Sequence, residues 1–315
     1  MNHEQPHWSK IQENSTVFGI KTLLFIYQVF GRTVFNLILF PVMAYYYVSN
    51  RTAREASKQY LSYIKPFLAN EKPLSSFRHF LQFGDMLLDK LLVWMGKIDL
   101  SSIEFKTPSV VENISSSKRG ALILVSHLGN IEVCNALRQR LAEVKLTILV
   151  NTEHAQKFNS LMSQLGSNTH AELVQVNELS PATAMMLSER IDNGELVVIA
   201  GDRTPEQTAR VSNVSFLGHS APLPQGAFIL ASLLKCPVYL LFCLKQQKKY
   251  EIHVELFSER LTFSRKKRQQ ELDVSVQKYA QRLEHYCVKA PFQWYNFFSF
   301  WHKNTDSTAT KETKT

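Results

Sequence analysis

The sequence predicts an α/β fold: a mixed, mostly parallel central sheet flanked by helices, with a helical extension at the N-terminus. Three observations carry this. From residue 121 onward, short apolar runs rich in strand formers alternate with stretches whose apolar residues recur at helical spacing, which is the pattern of a sheet with helices on its faces. The last two runs, Val238–Leu244 and Tyr250–Phe257, follow one another directly, so they can pair antiparallel and make the sheet mixed. Residues 17–48 form a long apolar segment unlike anything after it.

In chain order, a polar stretch through about Thr16 contains His7-Trp8. It has no basic region leading into an apolar stretch with a small-residue cleavage site, which argues against a cleaved signal peptide. Val17–Val48 follows, interrupted by Lys21, Gln28, Arg32 and Asn36, with Pro41 expected to kink a helix. Its flanking Lys21, Arg32, Arg51 and Arg54 and its Tyr45-Tyr46-Tyr47 cluster suit a membrane–water boundary. A hairpin or amphipathic anchor in one leaflet is the favoured reading; a single span and a buried core helix are the alternatives. Residues 53–70 and 76–97 read as amphipathic helices, the second with Phe77, Phe80, Met86-Leu87, Leu91 and Trp94 as its apolar face.

The core then reads as a strand at Ala121–Ser126 and a helix from about Asn130, a strand at Leu146–Val150 and a helix at Ala155–Leu165. A short strand at Leu173–Val176, a helix at Ala182–Ile191 and a strand at Leu196–Ala200 come next. Arg203–Val214 reads as a loop, and Pro224 as the start of a helix running to about Lys235. Leu272, Val276, Tyr279, Leu283 and Cys287 mark one face of a C-terminal helix, and the Thr-, Lys- and Ser-rich tail after Trp301 reads as disordered. The expected organisation is thus a membrane-associating segment over 1–52, one domain over 53–301 (helices 53–97, α/β core 120–258, C-terminal helix 270–289) and a tail over 302–315.

A chain of 315 residues, 45% hydrophobic and 20% charged, can bury a substantial core. Its net charge of +9 suits anionic headgroups, phosphorylated substrates, acidic carrier proteins or nucleic acid alike. No helix-turn-helix, RNP-like or zinc-finger spacing supports nucleic acid, and the basic run Arg265–Arg268 reads first as a solvated face, with lipid headgroups or an acidic carrier as other contacts. The absence of a Walker loop, a G-x-G-x-x-G and a G-x-S-x-G lowers the NTPase, dinucleotide and serine-hydrolase readings. Cys134, Cys236, Cys243 and Cys287 have neither metal-ligand nor C-x-x-C spacing, so they read as buried reduced thiols in a cytosolic main domain.

The chemistry concentrates at His127-Leu128-Gly129-Asn130-Ile131-Glu132, directly after a buried strand. A neutral imidazole there can take a proton from a hydroxyl near neutral pH. Glu132, five residues on, can fold back across the turn and accept from the other ring nitrogen, fixing the tautomer. Gly129 permits a tight turn, and the N–H groups near Gly129-Asn130 at the start of the expected helix are candidate oxyanion donors. Gly201-Asp202-Arg203 leaves a second strand. If the two strands are parallel it emerges at the same sheet edge, where Arg203 can grip a phosphate or carboxylate and Asp202 can orient Arg203. A solvated Glu132 and an ordinary Asp–Arg loop pair account for the same residues more blandly. His219, in the Phe216–Ala227 block, reads as structural.

With these blocks, the chain resembles the bacterial lipid A biosynthesis (late, secondary) acyltransferases of the lysophospholipid acyltransferase superfamily. The similarity runs from His7-Trp8 and Gly31-Arg32 through Asn151–Asn159 to Pro291–Phe298. The Gly-Asp-Arg block, where the wider superfamily often has Glu-Gly before its arginine, makes the chain similar to a divergent branch of aryl-polyene or other glycolipid clusters. The resemblance implies a glycerolipid acyltransferase-like fold. It also implies acyl transfer from an acyl carrier protein or CoA thioester to a hydroxyl of a lipid or glycolipid, with no metal or other cofactor. His127 and Glu132 would be the dyad, Arg203 the basic substrate-binding position, and the cytoplasmic face of the bacterial inner membrane the location. An acyl thioesterase and a non-catalytic lipid-binding protein are the rival readings.

Overall fold

The computed structural model describes residues 17–69, 73–94, 97, 103–134, 144–150, 171–175, 180–203, 210–247 and 249–301. The expected Asn151–Asn159 block, the Ala155–Leu165 helix, His7-Trp8 and the 302–315 tail lie outside them.

Three helices precede the sheet: α1 (Val17–Ser49), α2 (Arg51–Ile64) and α3 (Ser76–Trp94). They are followed by β1 (Ile103–Phe105), α4 (Pro108–Ser116), β2 (Ala121–Val125), β3 (Leu146–Val150), β4 (Ala171–Gln175), α5 (Pro181–Asp192) and β5 (Leu196–Ala200). Then come β6 (Val211–Phe216), β7 (His219–Pro224), α6 (Gly226–Leu234), β8 (Val238–Gln246), β9 (Lys249–Ser258) and α7 (Arg268–Lys289). The seven-stranded sheet has the order β1-β9-β8-β2-β5-β3-β4, parallel throughout except for the antiparallel β8/β9 pair. The architecture is therefore the mixed, mostly parallel α/β sheet that the alternation predicts.

β2 lies inside the sheet and is buried along its whole length. Successive side chains of a strand face opposite ways. Leu122 and Leu124 join a core with Phe228, Tyr279 and Leu283 from α6 and α7, whereas Ala121, Ile123 and Val125 join a second core with Val111 and Ile114 of α4. Covered on both faces, β2 needs an unbroken apolar run.

Several elements differ from expectation. The segment after Asn130 begins as a 3-10 turn, Ile131–Cys134, and residues 135–143 are outside the described set. The expected loop 203–214 ends in a strand: Val211–Phe216 alternates exposed and buried and pairs with His219–Pro224. Leu217 and Gly218, both at positive φ (52° and 77°), make the two-residue turn that suits the strand twist. Pro224 thus closes β7, and α6 starts at Gly226. The buried stripe of α3 is also shifted. It comprises Ser76, His79, Phe80, Gly84, Leu88, Asp89 and Leu92, while Leu87 is exposed. Three polar residues sit in that stripe because each finds partners, which an apolar count does not register.

α1 lies along α3 and buries Phe35, Leu39 and Met43 against Phe80, Leu88 and Leu92. Its backbone leaves helical geometry at Gly31 (φ 73°, ψ −174°), a conformation open to glycine, whereas Pro41 sits inside the helix. Arg32, next to this break, pairs with Asp85 and with Asp89 (2.8 Å), and the same two carboxylates hold Lys245 of β8. The opposite face leaves Phe30, Leu37, Tyr45 and Val48 exposed. Tyr27–Ser49 is long and apolar enough to cross a membrane by length and composition.

Candidate active site

β2 and β5 run parallel with Val125 opposite Ala200, so the residues after each strand leave the sheet side by side. Gly201 N–H donates to the Val125 carbonyl (2.9 Å), tying the two exits together. The same carbonyl accepts from the buried Tyr279 hydroxyl of α7 (2.9 Å). His127 and Asp202 meet at this edge.

The Asp202 side chain has no exposure to solvent, and its carboxylate accepts three N–H groups. His127 Nδ1 is 2.8 Å from Oδ1; the His127 backbone N–H (2.8 Å) and the Trp294 indole N–H (3.0 Å) both donate to Oδ2. An ionised carboxylate only accepts, so Nδ1 carries the proton and Nε2 keeps its lone pair. The His127 side chain is 31% exposed, and Nε2 has no hydrogen-bond partner among the described residues. Burial and the neighbouring Arg203 charge lower the His127 pKa, outweighing the opposing pull of Asp202. The imidazole is therefore neutral at neutral pH. Burial pushes Asp202 up, but the attraction and hydrogen bonds of His127, with the Arg203 charge, outweigh it and hold the carboxyl below its ordinary range.

Each residue expected at the site has a definite place. Glu132 does not hold the imidazole proton, because Nδ1 faces Asp202; its carboxylate pairs with Lys90 of α3 at 2.6 Å. Asp202 turns to His127 rather than to Arg203. Arg203 is fixed instead by the Tyr295 carbonyl, 2.8 Å from Nη2, and lies over the Phe298 ring at 5.7 Å. The N–H groups of Gly129 and Asn130 are engaged by the carbonyls of Gln293 (2.8 Å) and Cys243 (3.1 Å), which leaves neither for an oxyanion. The loop lies tightly between β8, which carries Cys243, and the Gln293 segment beyond α7. Gly129 has φ +74°, and a Cβ there would stand 1.8 Å from the Cys243 oxygen. Asn130 is buried and lines a small cavity with Gln82, Asp85, Lys245, Tyr250 and Gln293.

Sequence reasoning noted Trp294 and Tyr295 only within the Pro291–Phe298 block of the resemblance and gave them no role; they reach the site from beyond α7. It missed Lys90 from α3, which no local motif marks. The basic run Arg265–Arg268 leads into α7, of which Arg268 is the first residue, beyond Ser258, which pairs with the first residue of β8. It thus lies toward the sheet rim opposite His127. His219 stacks on Tyr63 with ring centroids 3.5 Å apart, a structural contact. Cys236, Cys243 and Cys287 are buried free thiols.

The model of the bacterial lipid A biosynthesis acyltransferase family matches residues 88–303, which include the imidazole, both carboxylates and Arg203. The chain belongs to that family. It is accordingly an acyltransferase acting on lipid, and the match takes in the whole α/β sheet together with the Trp294 segment. No curated protein matches the chain.

Proposed function

We propose that this protein is a membrane-associated O-acyltransferase. It moves a fatty acyl group from an acyl carrier protein or CoA thioester to a hydroxyl of a lipid A-like glycolipid, at the cytoplasmic face of the bacterial inner membrane. The observation that carries the reading is the 2.8 Å contact between His127 Nδ1 and the buried Asp202, which leaves Nε2 as a base. His127 Nε2 takes the acceptor hydroxyl proton as the oxygen attacks the thioester carbonyl. The new C–O bond forms, the tetrahedral oxyanion collapses, the C–S bond breaks, and the imidazolium returns its proton to the thiolate. Asp202 stabilises the imidazolium between these steps. Arg203, held in a fixed direction by Tyr295, offers a permanently charged fork to a phosphate or carboxylate of the substrate. Glu132, set by Lys90, supplies a second fixed carboxylate on the same loop.

The docked face of α1 favours an anchor over a crossing helix. Phe35, Leu39 and Met43 stay packed on α3, and Arg32 is ion-paired, while the outward apolar residues are free to enter one leaflet.

The test is the full-length protein in glycolipid-containing vesicles with an acyl thioester. Acylated glycolipid should form in step with thiol release, and His127→Ala should lower both by roughly 10²–10⁴-fold. Thiol and free fatty acid without acylated lipid would make it a thioesterase. No thiol release would make it a lipid-binding protein.

A further inference from the structure

Gln293-Trp294-Tyr295 crosses the His127 loop as a strap. Tyr295 N–H donates to the His127 carbonyl (3.0 Å), and Gly129 N–H donates to the Gln293 carbonyl (2.8 Å). The Gln293 amide fastens the strap to β8, accepting from Lys245 N–H (2.8 Å) and donating to the Lys245 carbonyl (2.7 Å). The Trp294 ring has no solvent exposure and is packed by Tyr60, Phe216, Phe300 and Trp301. Its N–H is directed at the carboxylate that orients His127.

Behind the strap lies a second polar chain. The Trp294 carbonyl is 3.0 Å from His79 Nε2, and His79 Nδ1 is 3.0 Å from Ser57 Oγ. Ser76 Oγ stands 2.8 Å beyond Ser57. A carbonyl only accepts, so Nε2 carries the His79 proton, Nδ1 accepts from Ser57, and Ser57 accepts from Ser76. All three side chains are buried, and burial holds His79 neutral with a pKa of about 3. Desolvating an imidazole and two hydroxyls in an aromatic core is costly unless every group is paired. Here the pairing ends on the residue that holds the catalytic carboxylate.

We propose that Trp294 is a positioning residue for the His127–Asp202 pair, and that His79, backed by Ser57 and Ser76, fixes Trp294 in that role. The proposal rests on His127 being the base, as read above. Two N–H groups on Oδ2 stop the carboxylate from rotating and leave Oδ1 aimed at Nδ1. Removing the indole donor frees the carboxylate to turn and concentrates its charge, which favours the imidazolium.

The test is histidine 15N NMR on the full-length chain, with His127 assigned by its loss in His127→Gln, alongside pH–rate profiles. Trp294→Phe removes the donor and keeps a ring; His79→Phe cuts the chain; His79→Gln can still donate to the carbonyl and accept from Ser57. Asp202, Arg203 and Lys90, the charged groups acting on His127, are intact in all three. Trp294→Phe and His79→Phe should raise the His127 pKa, move the acid limb of kcat/KM to higher pH and lower kcat about tenfold. His79→Gln should restore wild-type values. Should Trp294→Phe not fold, the two His79 variants decide. Folded variants with an unmoved His127 titration and an unmoved acid limb overturn the proposal. A shifted titration in a protein that transfers no acyl group would keep the positioning and discard the catalytic reading instead.

Discussion

His127 has two carboxylates in its surroundings, and their chemical duties separate. Asp202 holds Nδ1 from full burial, whereas Glu132 is one quarter exposed and bound to Lys90. Asp202→Asn should lower turnover by about 10⁴-fold, as it does where an amide imposes the wrong tautomer on a paired imidazole. Its ring nitrogens should show the changed tautomer by 15N NMR. Glu132→Gln should lower turnover while leaving that tautomer as in wild type; a tautomer changed by Glu132→Gln and untouched by Asp202→Asn would reverse the assignment. His127 was legible because a histidine directly after a buried run stands at the sheet edge where parallel strands end. Its partner was not, because Asp202 lies 75 residues away and only the β2/β5 register brings them together. Glu132 was close in sequence, and proximity along the chain was the wrong guide.

At the scale of elements, α1 is the piece whose environment is least satisfied by the protein itself. Leu37, Tyr45 and Val48 are 74%, 76% and 73% exposed on one side, while Phe35, Leu39 and Met43 are buried on the other. Replacing both Leu37 and Val48 with Glu should release the protein from anionic lipid vesicles in a flotation assay without lowering its melting temperature, because neither side chain touches the α3 interface. Unchanged flotation would remove α1 as the membrane contact. The strands buried on both faces were readable almost to the residue, since such strands admit little besides Val, Ile, Leu and Ala. The β6/β7 hairpin escaped notice because its inward face carries Ser212 beside Val214 and Phe216. Ser212 is bonded to Asp273 and Gln225, a partnership that no periodicity reveals. The α3 stripe was misplaced for the same reason: His79 and Asp89 are interior residues with polar partners.

At the scale of the molecule, His79 links stability to pH. Its pKa falls from an ordinary 6.5 to about 3 on folding because burial disfavours the imidazolium. The unfolded chain therefore binds an extra proton between these values. Stability is fully present above pH 6.5 and is lost as pH falls toward about 3, at up to roughly 1.4 kcal/mol per pH unit from this group. The urea midpoint should drop between pH 7 and pH 5 in the wild type, and drop less in His79→Gln; equal drops would place the dependence elsewhere. The strap, the helices in front of the sheet and the His127 loop are joined through this buried chain, so the fold and the candidate site share one polar core.

The central claim is that His127 acts as the base in acyl transfer to a lipid hydroxyl. The most direct measurement is lipid mass spectrometry of a deletion strain complemented with either the wild-type protein or His127→Ala at matched expression. The wild type should restore an acyl group missing from the deletion strain, and His127→Ala should leave it missing. Restoration by His127→Ala would contradict the claim.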